Sequence, residues 1–412
     1  MIKLIIYIIE SPYTKRDHHR FGVEIFQNNG FQTQVWDLTH IFHPDYTLVP
    51  LDHFSFDGLT VFGSRAEVSK HISLLNPAEV LVINTSAGWL DKLWFFKMLK
   101  KYNLKHAMVA LSIVPSSNKD SISPKKTINK LLSFRLSKIS LYYGVIKNLI
   151  IKKCPFALLR ISPAVFFFVS GENSFNYYCF PVNSTTKVVW LHALDYDRYL
   201  EENKKPISSG TLNKGVFLDA YMPYHPDFAL LGETNPLKAD EYYPNLCRFF
   251  ERIENEQNTK IEIAAHPRSD YRDPPKYFGD RRVHLGKTIE CVRSAKFVIA
   301  HSSTAINFAV LYRKPILFVF TEEMAKNGYS RVVDNFASSL GKKSINIDKP
   351  YNIDWDQSLL VNEEKYSSYQ NSIIKKTGTK EGLSWQMVAD VLRDYAKNIH
   401  DINAQNKQEM RT

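Results

Sequence analysis

Two short apolar runs, each followed at once by polar residues, are the feature that most constrains the fold of this chain. Residues 261–265 stop at His266-Pro267-Arg268, and residues 296–300 run into His301-Ser302-Ser303-Thr304. Runs of this length and composition are typical of buried strands in a parallel sheet. Small and apolar residues and a third apolar run follow over 305–320. This stretch therefore predicts strand, polar helix start, helix and strand, which is the repeating unit of an α/β protein.

Strand and helix patterns also alternate through the first half of the chain, which predicts a second parallel sheet. One helix is predicted over 16–28 and another over 89–101. The predicted strands of this half cover 4–9, 33–36, 80–84, 105–111, 165–169 and 188–191. The fold class expected from both halves is α/β with two parallel sheets.

The length of the chain sets its domain organisation. At 412 residues, 44% of them apolar, it is long enough for two domains with separate cores. We predict an α/β domain over 1–200, a second over 201–382, and a terminal stretch over 383–412 that begins as an amphipathic helix and ends in a disordered tail. The polar, aperiodic segment 198–214 is the predicted linker, and the chain after 320 is predicted to be irregular until residue 384.

The polar residues after the two strands are expected to face one crevice, because ligands of open α/β sheets bind beyond the carboxyl ends of the strands. Ser302, Ser303 and Thr304 stand at the start of the predicted helix, where unpaired N–H groups and the helix dipole favour a phosphate. His266 would face the same crevice from the neighbouring strand. The alternative is that the hydroxyls only cap the helix and that His266 only ends a strand. Together, their order and spacing favour a phosphate-bearing ligand.

The His-Pro pair and the Ser-Ser-Thr run resemble the donor site of bacterial glycosyltransferases that use CMP-activated sugar acids. These enzymes include the bacterial sialyltransferases and the Kdo transferases of capsule and O-antigen synthesis. The resemblance is specific over 266–320, weaker over 215–227 and only architectural in the N-terminal half. It implies the GT-B fold, in which two Rossmann-like domains with parallel sheets face a central cleft. The first domain would bind the acceptor, the second would bind the donor, and the terminal helix would cross back onto the first.

The resemblance also implies an activity. The enzyme would transfer an ulosonic acid, Kdo or a related sialic-type acid, from its CMP donor to a bacterial surface polysaccharide or lipid-linked glycan. A GT-B enzyme that acts on a UDP- or GDP-sugar, as a transferase or an epimerase, is the alternative.

Asp219 is the predicted catalytic carboxylate, because it follows a short apolar strand and should emerge at the same sheet edge as His266 and Ser302. As a base it would take the proton of the acceptor hydroxyl, and as a nucleophile it would attack the anomeric carbon. The similarity to retaining β-Kdo transferases favours the nucleophile, as does the lack of the acidic triplet that sialyltransferases carry in the first domain. Glu172 is the predicted acid/base partner across the cleft. The alternative for Asp219 is a structural turn aspartate.

Further site residues follow from the same resemblance. The first strand-to-helix loop, 10–20, holds many ionisable groups at the end of a central strand, and Arg16 and Asp17 are its predicted acceptor-binding residues. The alternative is that Asp17 caps its helix and the basic residues are solvated. The predicted donor-binding residues are His266, Pro267, Arg268, Lys287, Ser302, Ser303 and Thr304.

We expect neither a metal ion nor a cofactor, because N–H groups, hydroxyls and a His or Lys can stabilise the phosphate charge. Asp195-Tyr196-Asp197 has the form of an Asp-x-Asp metal motif, but it stands just before the predicted linker. The four cysteines are widely separated, so they predict neither a disulfide framework nor a zinc site.

The net charge of +11 is unevenly distributed, since no Asp or Glu occurs between residues 121 and 171. The interleaved basic and apolar residues of 121–160 predict contact with an anionic membrane surface or a lipid-linked acceptor, and a solvated helix face is the alternative. No nucleic-acid-binding signature accompanies them, so we expect no nucleic-acid partner. The apolar run at 4–9 is too short for a signal peptide. We therefore expect a cytoplasmic protein, with peripheral attachment at the inner membrane.

Overall fold

The computed structural model describes residues 1–47, 50, 52–85, 92–116, 154–176, 180–206, 213–271, 277–350 and 352–395. Its strands form two parallel sheets, one of seven strands from the first half of the chain and one of six from the second half. The predicted α/β class with two parallel sheets is therefore confirmed. Most of the basic segment 121–160 lies outside the described residues, and so does the end of the chain after residue 395.

The strands occupy short apolar runs along both halves. They are β1 (Leu4–Ile9), β2 (Gln32–Asp37), β3 (Leu59–Val61), β4 (Val80–Asn84), β5 (Lys105–Ala110), β6 (Phe166–Val169), β7 (Lys187–Trp190), β8 (Lys214–Leu218), β9 (Lys260–Ala265), β10 (Val283–Leu285), β11 (Phe297–Ala300), β12 (Ile316–Phe320) and β13 (Ser344–Asn346). The strand orders are β3-β2-β1-β4-β5-β6-β7 and β10-β9-β8-β11-β12-β13. Because all pairings are parallel, the carboxyl ends of the strands in each sheet meet at one edge.

The helices that connect the strands are mostly short. They are α1 (Lys15–Arg20), α2 (Val23–Asn28), α3 (Thr39–Phe42), α4 (Arg65–Ser73), α5 (Leu93–Lys101), α6 (Phe156–Leu159), α7 (Glu172–Asn176), α8 (Leu194–Glu202), α9 (Pro226–Leu230), α10 (Ala239–Gln257), α11 (Thr288–Ser294), α12 (Ile306–Leu311), α13 (Glu322–Lys326), α14 (Ser330–Ser339), α15 (Trp355–Ser358), α16 (Glu363–Tyr369) and α17 (384–395). A 3₁₀ turn covers Met222–Tyr224, and a π-helical turn covers Gln370–Ile374. No described helix combines the length and the apolar composition needed to cross a bilayer.

The first sheet is covered on both faces, as the alternation of its side chains requires. Ile6 and Ile8 of β1 belong to one apolar cluster, whereas Ile5, Tyr7 and Ile9 belong to another on the opposite face. The second cluster is completed by α17 from the end of the described chain. Its Trp385 is 2% exposed and meets the ring of Tyr7 edge to face.

The predicted single helix over 16–28 is wrong, because the chain forms α1 and α2 with Gly22 between them. Gly22 has a φ of 60°, a left-handed conformation that glycine adopts without steric penalty. A Cβ atom at this position would lie 2.5 Å from the Trp385 side chain. The helix therefore breaks where α17 packs, which no local pattern of the first 30 residues could indicate.

The second half also departs from prediction. α8 continues to Glu202, so the first residues of the predicted linker 198–214 are helical. The last turn of this helix is stabilised by the packing of Tyr199 against Tyr312 of the second half, with the two ring centroids 5.1 Å apart. The region from 320 to 384 was predicted to be irregular, and this is wrong for α13, α14, β13, α15 and α16. These elements are short, and α14 is held by the burial of Val333, Phe336 and Ala337.

Candidate functional site

A cavity of about 380 Å³ lies beyond the carboxyl ends of β1, β4 and β5. It stands at the point where the strand order of the first sheet reverses, because β2 lies on one side of β1 and β4 on the other. Such switch points are where open α/β sheets bind their ligands. The opposite wall comes from the second half of the chain. The charged residues of the lining are Glu10, Arg16, Asp17, Arg20, Asp227 and Arg268, and we call this the arginine cavity.

The loop after β1 orients two of these arginines. Thr14 caps α1 by accepting a hydrogen bond from the backbone N–H of Asp17 at 3.1 Å, and its hydroxyl donates to Asp17 Oδ2 at 2.6 Å. Arg16 and Arg20 are four residues apart, so they project from the same face of the helix. Like charges at this spacing destabilise a helix, and a bound anion would relieve that repulsion.

Arg20 is held in place by hydrogen bonds with two other parts of the fold. Its Nη2 donates to Ser112 Oγ at 2.7 Å, beyond the end of β5. Its carbonyl oxygen accepts from Trp385 Nε1 at 2.7 Å, which ties α17 to the cavity wall. Burial and then the charge of Arg16 lower the pKa of Arg20, whereas Asp195 acts in the opposite direction.

Arg268 supplies the main positive charge on the wall from the second half. Its Nη2 donates to Asp227 Oδ1 at 2.8 Å. The Nε atoms of Arg268 and Arg16 are both buried, and neither has a hydrogen-bond partner in the described part of the chain. A buried donor without a partner is unfavourable, especially on a charged group. Both atoms are therefore candidates for contacts with a ligand.

His266 lies among these cations at the end of β9. Its Nδ1 accepts from the backbone N–H of Arg268 at 3.2 Å, which places the ring hydrogen on Nε2. Burial and then the charges of His225, Arg268 and Arg16 lower the pKa of His266 to about 2. The imidazole is thus neutral, and positive charge is already concentrated around it. This environment suits an anion such as phosphate or carboxylate.

Asp219, the predicted catalytic carboxylate, follows β8 but is only 4% exposed. Its Oδ1 accepts from the N–H of Tyr221 at 2.8 Å, and its Oδ2 accepts from the hydroxyl of Tyr271 at 2.7 Å and from the N–H of His266 at 3.4 Å. Burial raises the pKa of Asp219 to about 6. It is not among the described residues that line the arginine cavity.

Glu172, its predicted partner, is exposed in the first turn of α7. The neighbouring Gly171 packs against the backbone of Ser372 and Ile373, so the π-helical turn covers this end of β6. Glu172 is likewise not among the described lining residues of the arginine cavity. The structure does not bring Asp219 and Glu172 together on that wall.

The predicted hydroxyl cradle lies beyond β11. Ser302, Ser303 and Thr304 are partly buried, and Ser303 Oγ accepts from the N–H of Ala305 at 3.2 Å. This bond is local and belongs to the turn that enters α12. His301 is buried and structural, with its ring nitrogens within hydrogen-bond distance of Tyr242 Oη and the Val319 carbonyl.

The remaining predicted donor residues lie at the same edge of the second sheet. Lys287 is exposed just before α11 and two residues past the end of β10. Pro267 stands between His266 and Arg268. Of the seven predicted donor residues, Arg268 alone is in the described lining of the arginine cavity, where it meets Arg16 and Asp17, the two predicted acceptor residues.

A second cavity of about 350 Å³ opens beyond β12, between the starts of α10 and α13. Its charged lining residues are Lys238, Glu241, Glu322, Glu323, Lys326 and Asp348. Four carboxylates against two lysines make this cavity unfavourable for an anion. A phosphate would therefore prefer the arginine cavity.

Both aspartates of the Asp-x-Asp motif accept hydrogen bonds from other parts of the protein. Asp195 Oδ2 accepts from Asn307 Nδ2 at 2.9 Å, and Asp197 Oδ1 accepts from the N–H of Ser384 at 2.9 Å. Within the described ranges, no three His, Cys, Asp or Glu residues are grouped closely enough to hold a metal ion.

Sequence reasoning missed part of the cavity wall. Arg20 could have been found from its spacing of four residues from Arg16 on a predicted helix. Glu10 and Lys92 form an ion pair at 2.5 Å beside the cavity, and no local pattern indicates that pair. Asp227 joins the wall through its bond to Arg268 from a distant loop.

No protein-family model matches the sequence, and no curated protein matches it. Among solved structures, the wall teichoic acid polymerase TagF is similar, with a TM-score of 0.51 and 10% identity over 97% of this chain and 90% of that one. The UDP-GlcNAc 2-epimerase of Methanocaldococcus jannaschii, solved with UDP-GlcNAc and UDP, has a TM-score of 0.46 and 11% identity over 95% and 99% of the two chains. A glycotransferase of kitacinnamycin has a TM-score of 0.49 and 9% sequence identity, over 96% of this chain and 99% of that one. At these identities a similarity shows the fold alone. The two parallel sheets, together with the match to TagF, show the predicted GT-B fold.

Proposed function

We propose that this protein is a glycosyltransferase that binds an anionic, nucleotide-activated sugar in the arginine cavity, and that the donor is a CMP-activated ulosonic acid. The observation that carries the proposal is the convergence of Arg16, Arg20 and Arg268 from the two halves of the chain on one cavity. Two of these guanidinium groups have a buried Nε that no described residue contacts by a hydrogen bond. Hydrogen bonds to ionised groups are about twice as strong as neutral ones, so an anion here would gain several of them.

The chemistry of the donor fits this arrangement. A CMP-linked ulosonic acid carries a phosphodiester and a carboxylate, which are two anionic groups close together. Three guanidinium groups can bind both, and guanidinium is suited to phosphate and carboxylate because its donors match their geometry. Ser302, Ser303, Thr304 and Lys287 remain predicted donor contacts of the second half.

The arginines would also serve the reaction. When the bond from the sugar to the phosphate breaks, negative charge accumulates on the leaving phosphate, and guanidinium groups held in place beforehand stabilise that charge. We therefore propose transfer without a metal ion. The acceptor would be a surface polysaccharide or lipid-linked glycan, and the basic segment 121–160 would bring the protein to an anionic membrane surface that carries it.

Nucleotide binding tests the donor class. Thermal unfolding is measured with CMP, UDP and GDP in separate samples, because a ligand at about 100 times its Kd stabilises the folded state by about 2.7 kcal/mol. We expect stabilisation by CMP. Stabilisation by UDP or GDP without CMP would favour the alternative GT-B enzyme, and no stabilisation by any of the three would contradict the proposed function.

Transfer is tested with CMP-Kdo and a CMP-sialic acid on lipid-linked glycan acceptors, in the presence and absence of EDTA. Product formation that persists in EDTA is the expected result. Product that forms only without EDTA would contradict metal-independent transfer while leaving the donor assignment intact.

A further inference from the structure

Three carboxylates line the arginine cavity, and they differ in their partners. Glu10 Oε2 is 2.5 Å from Nζ of Lys92, whose side chain is 3% exposed. Asp227 Oδ1 accepts from Arg268 at 2.8 Å. Each of these two carboxylates is thus engaged with a cation at hydrogen-bond distance, which leaves fewer of its lone pairs free to accept a bond from an acceptor hydroxyl.

Asp17 is the third carboxylate, and its environment is different. Its Oδ2 accepts from the neutral hydroxyl of Thr14 at 2.6 Å, while its Oδ1 lies 3.6 Å from Arg16 Nη2, which is beyond hydrogen-bond distance. The side chain is 13% exposed, so it is open to the cavity yet held by its cap. The reciprocal bonds with Thr14 orient the carboxylate before any substrate binds.

We propose that Asp17 is the general base that takes the proton of the acceptor hydroxyl; this assignment rests on the proposed function. The acceptor oxygen forms a bond to the anomeric carbon of the donor, and the bond from that carbon to the phosphate oxygen breaks. The electron pair leaves with CMP, whose phosphate gains one negative charge, and the hydroxyl proton passes to Asp17. Because the attack is direct, the product has the inverted anomeric configuration.

The neighbouring histidines are less suited to this role. His18 packs its ring against Phe54 and Phe56 at 4.8 and 5.0 Å, and its Nδ1 is 3.0 Å from the hydroxyl of Tyr13. His19 is exposed and lies 3.8 Å from Glu201. Neither is among the described residues that line the cavity. Asp17, which lines the cavity, is therefore better placed than either histidine to take a proton from an acceptor.

The decisive variant is Asp17→Asn, because the amide oxygen can still accept from Thr14 while the side chain can no longer take a proton. General base catalysis contributes about 100- to 10,000-fold, so we expect kcat for transfer to fall by that factor. CMP affinity should be retained or increased, since a negative charge beside Arg16 is removed. Glu24→Gln, an exposed carboxylate on α2, is the matched control and should transfer at the wild-type rate.

Chemical rescue separates a base from a structural residue. Added formate should restore part of the activity of Asp17→Ala, because a small carboxylate can occupy the vacated space and take the proton. Wild-type turnover by Asp17→Asn, or retention of the donor configuration in the product, would overturn the assignment and leave the proposed function standing. Failure of the wild-type protein to transfer from any nucleotide-sugar would overturn both.

Discussion

Two polar sites stand at the carboxyl edges of the two sheets, and they differ in how their hydrogen bonds are satisfied. At the end of β8, both oxygens of Asp219 accept bonds from Tyr221, Tyr271 and His266. Beyond the end of β1, the Nε atoms of Arg16 and Arg268 are buried without a partner in the described residues. One site is complete within the protein, and the other has unused donors.

This difference distinguishes residues that stabilise the fold from residues whose unpaired donors are available to a ligand. A polar group whose bonds are all made inside the protein stabilises its surroundings, whereas a buried group left unpaired costs about 1–3 kcal/mol until something binds it. His266 joins the two sites, because its N–H donates to Asp219 while its ring lies among the cations. The sequence predicted catalysis at Asp219. The buried donors of Arg16 and Arg268 that have no partner among the described residues make the arginine cavity the better candidate for ligand binding.

The largest expected effect that tests this comparison is on stability. Asp219→Ala removes the acceptor of the Tyr221 N–H and the Tyr271 hydroxyl, and each unpaired buried donor costs about 1–3 kcal/mol, so the free energy of unfolding near pH 4 should fall by about 3 kcal/mol or more. Urea unfolding measures this, with the exposed Asp57→Ala as control.

The same variant has a defined pH dependence. Because burial raises the pKa of Asp219 from 3.8 to about 6, the folded protein binds more protons than the unfolded chain between these values, and stability falls as pH rises through this window. The difference between wild type and Asp219→Ala should therefore shrink by about 3 kcal/mol between pH 4 and pH 8. A variant with wild-type stability at both pH values but no transfer activity would restore Asp219 as the catalytic carboxylate.

The second effect concerns ligand binding in the arginine cavity. Hydrogen bonds to charged groups contribute about 1.5–3 kcal/mol, so Arg268→Ala should weaken CMP binding by about 10- to 150-fold. The stability of this variant should change little, because the loss of the ion pair with the half-exposed Asp227 is offset by the removal of a buried Nε that has no partner among the described residues. Titration calorimetry measures the affinity, and Arg331→Ala, at an exposed arginine on α14, is the control. Equal affinities of the two variants for CMP would show that the arginine cavity is no more a ligand site than the hydrogen-bonded Asp219 site.

The smallest effect concerns the predicted hydroxyl cradle. Replacement of Ser302 and Ser303 by Ala should weaken CMP-sugar binding by about 10-fold, because a hydrogen bond from a hydroxyl to the ionised phosphate contributes about 1.5 kcal/mol. The free energy of unfolding should fall by about 1 kcal/mol or less, because Ser303 accepts one local bond from Ala305. Unchanged affinity in the double variant would show that these serines only shape the turn.

Local pattern alone determined most of the strands. β1 and β4 have the predicted bounds, and β9 and β11 match within one residue, because a buried strand needs a short apolar run and an abrupt end. The same patterns determined the two-sheet class. They also indicated that polar residues at the strand ends, Arg16 and Arg268 among them, would gather at one edge of each sheet.

Only the tertiary structure decided which of these residues share a wall. Arg16 and Arg268 are far apart in the chain, and they meet because the two halves pack together. Tyr271 closes over Asp219 from another loop, and Trp385 sets the break at Gly22 from the far end of the described chain. Propensity and periodicity act over a few neighbouring residues, whereas burial, pKa and hydrogen-bond satisfaction depend on every segment that reaches the site.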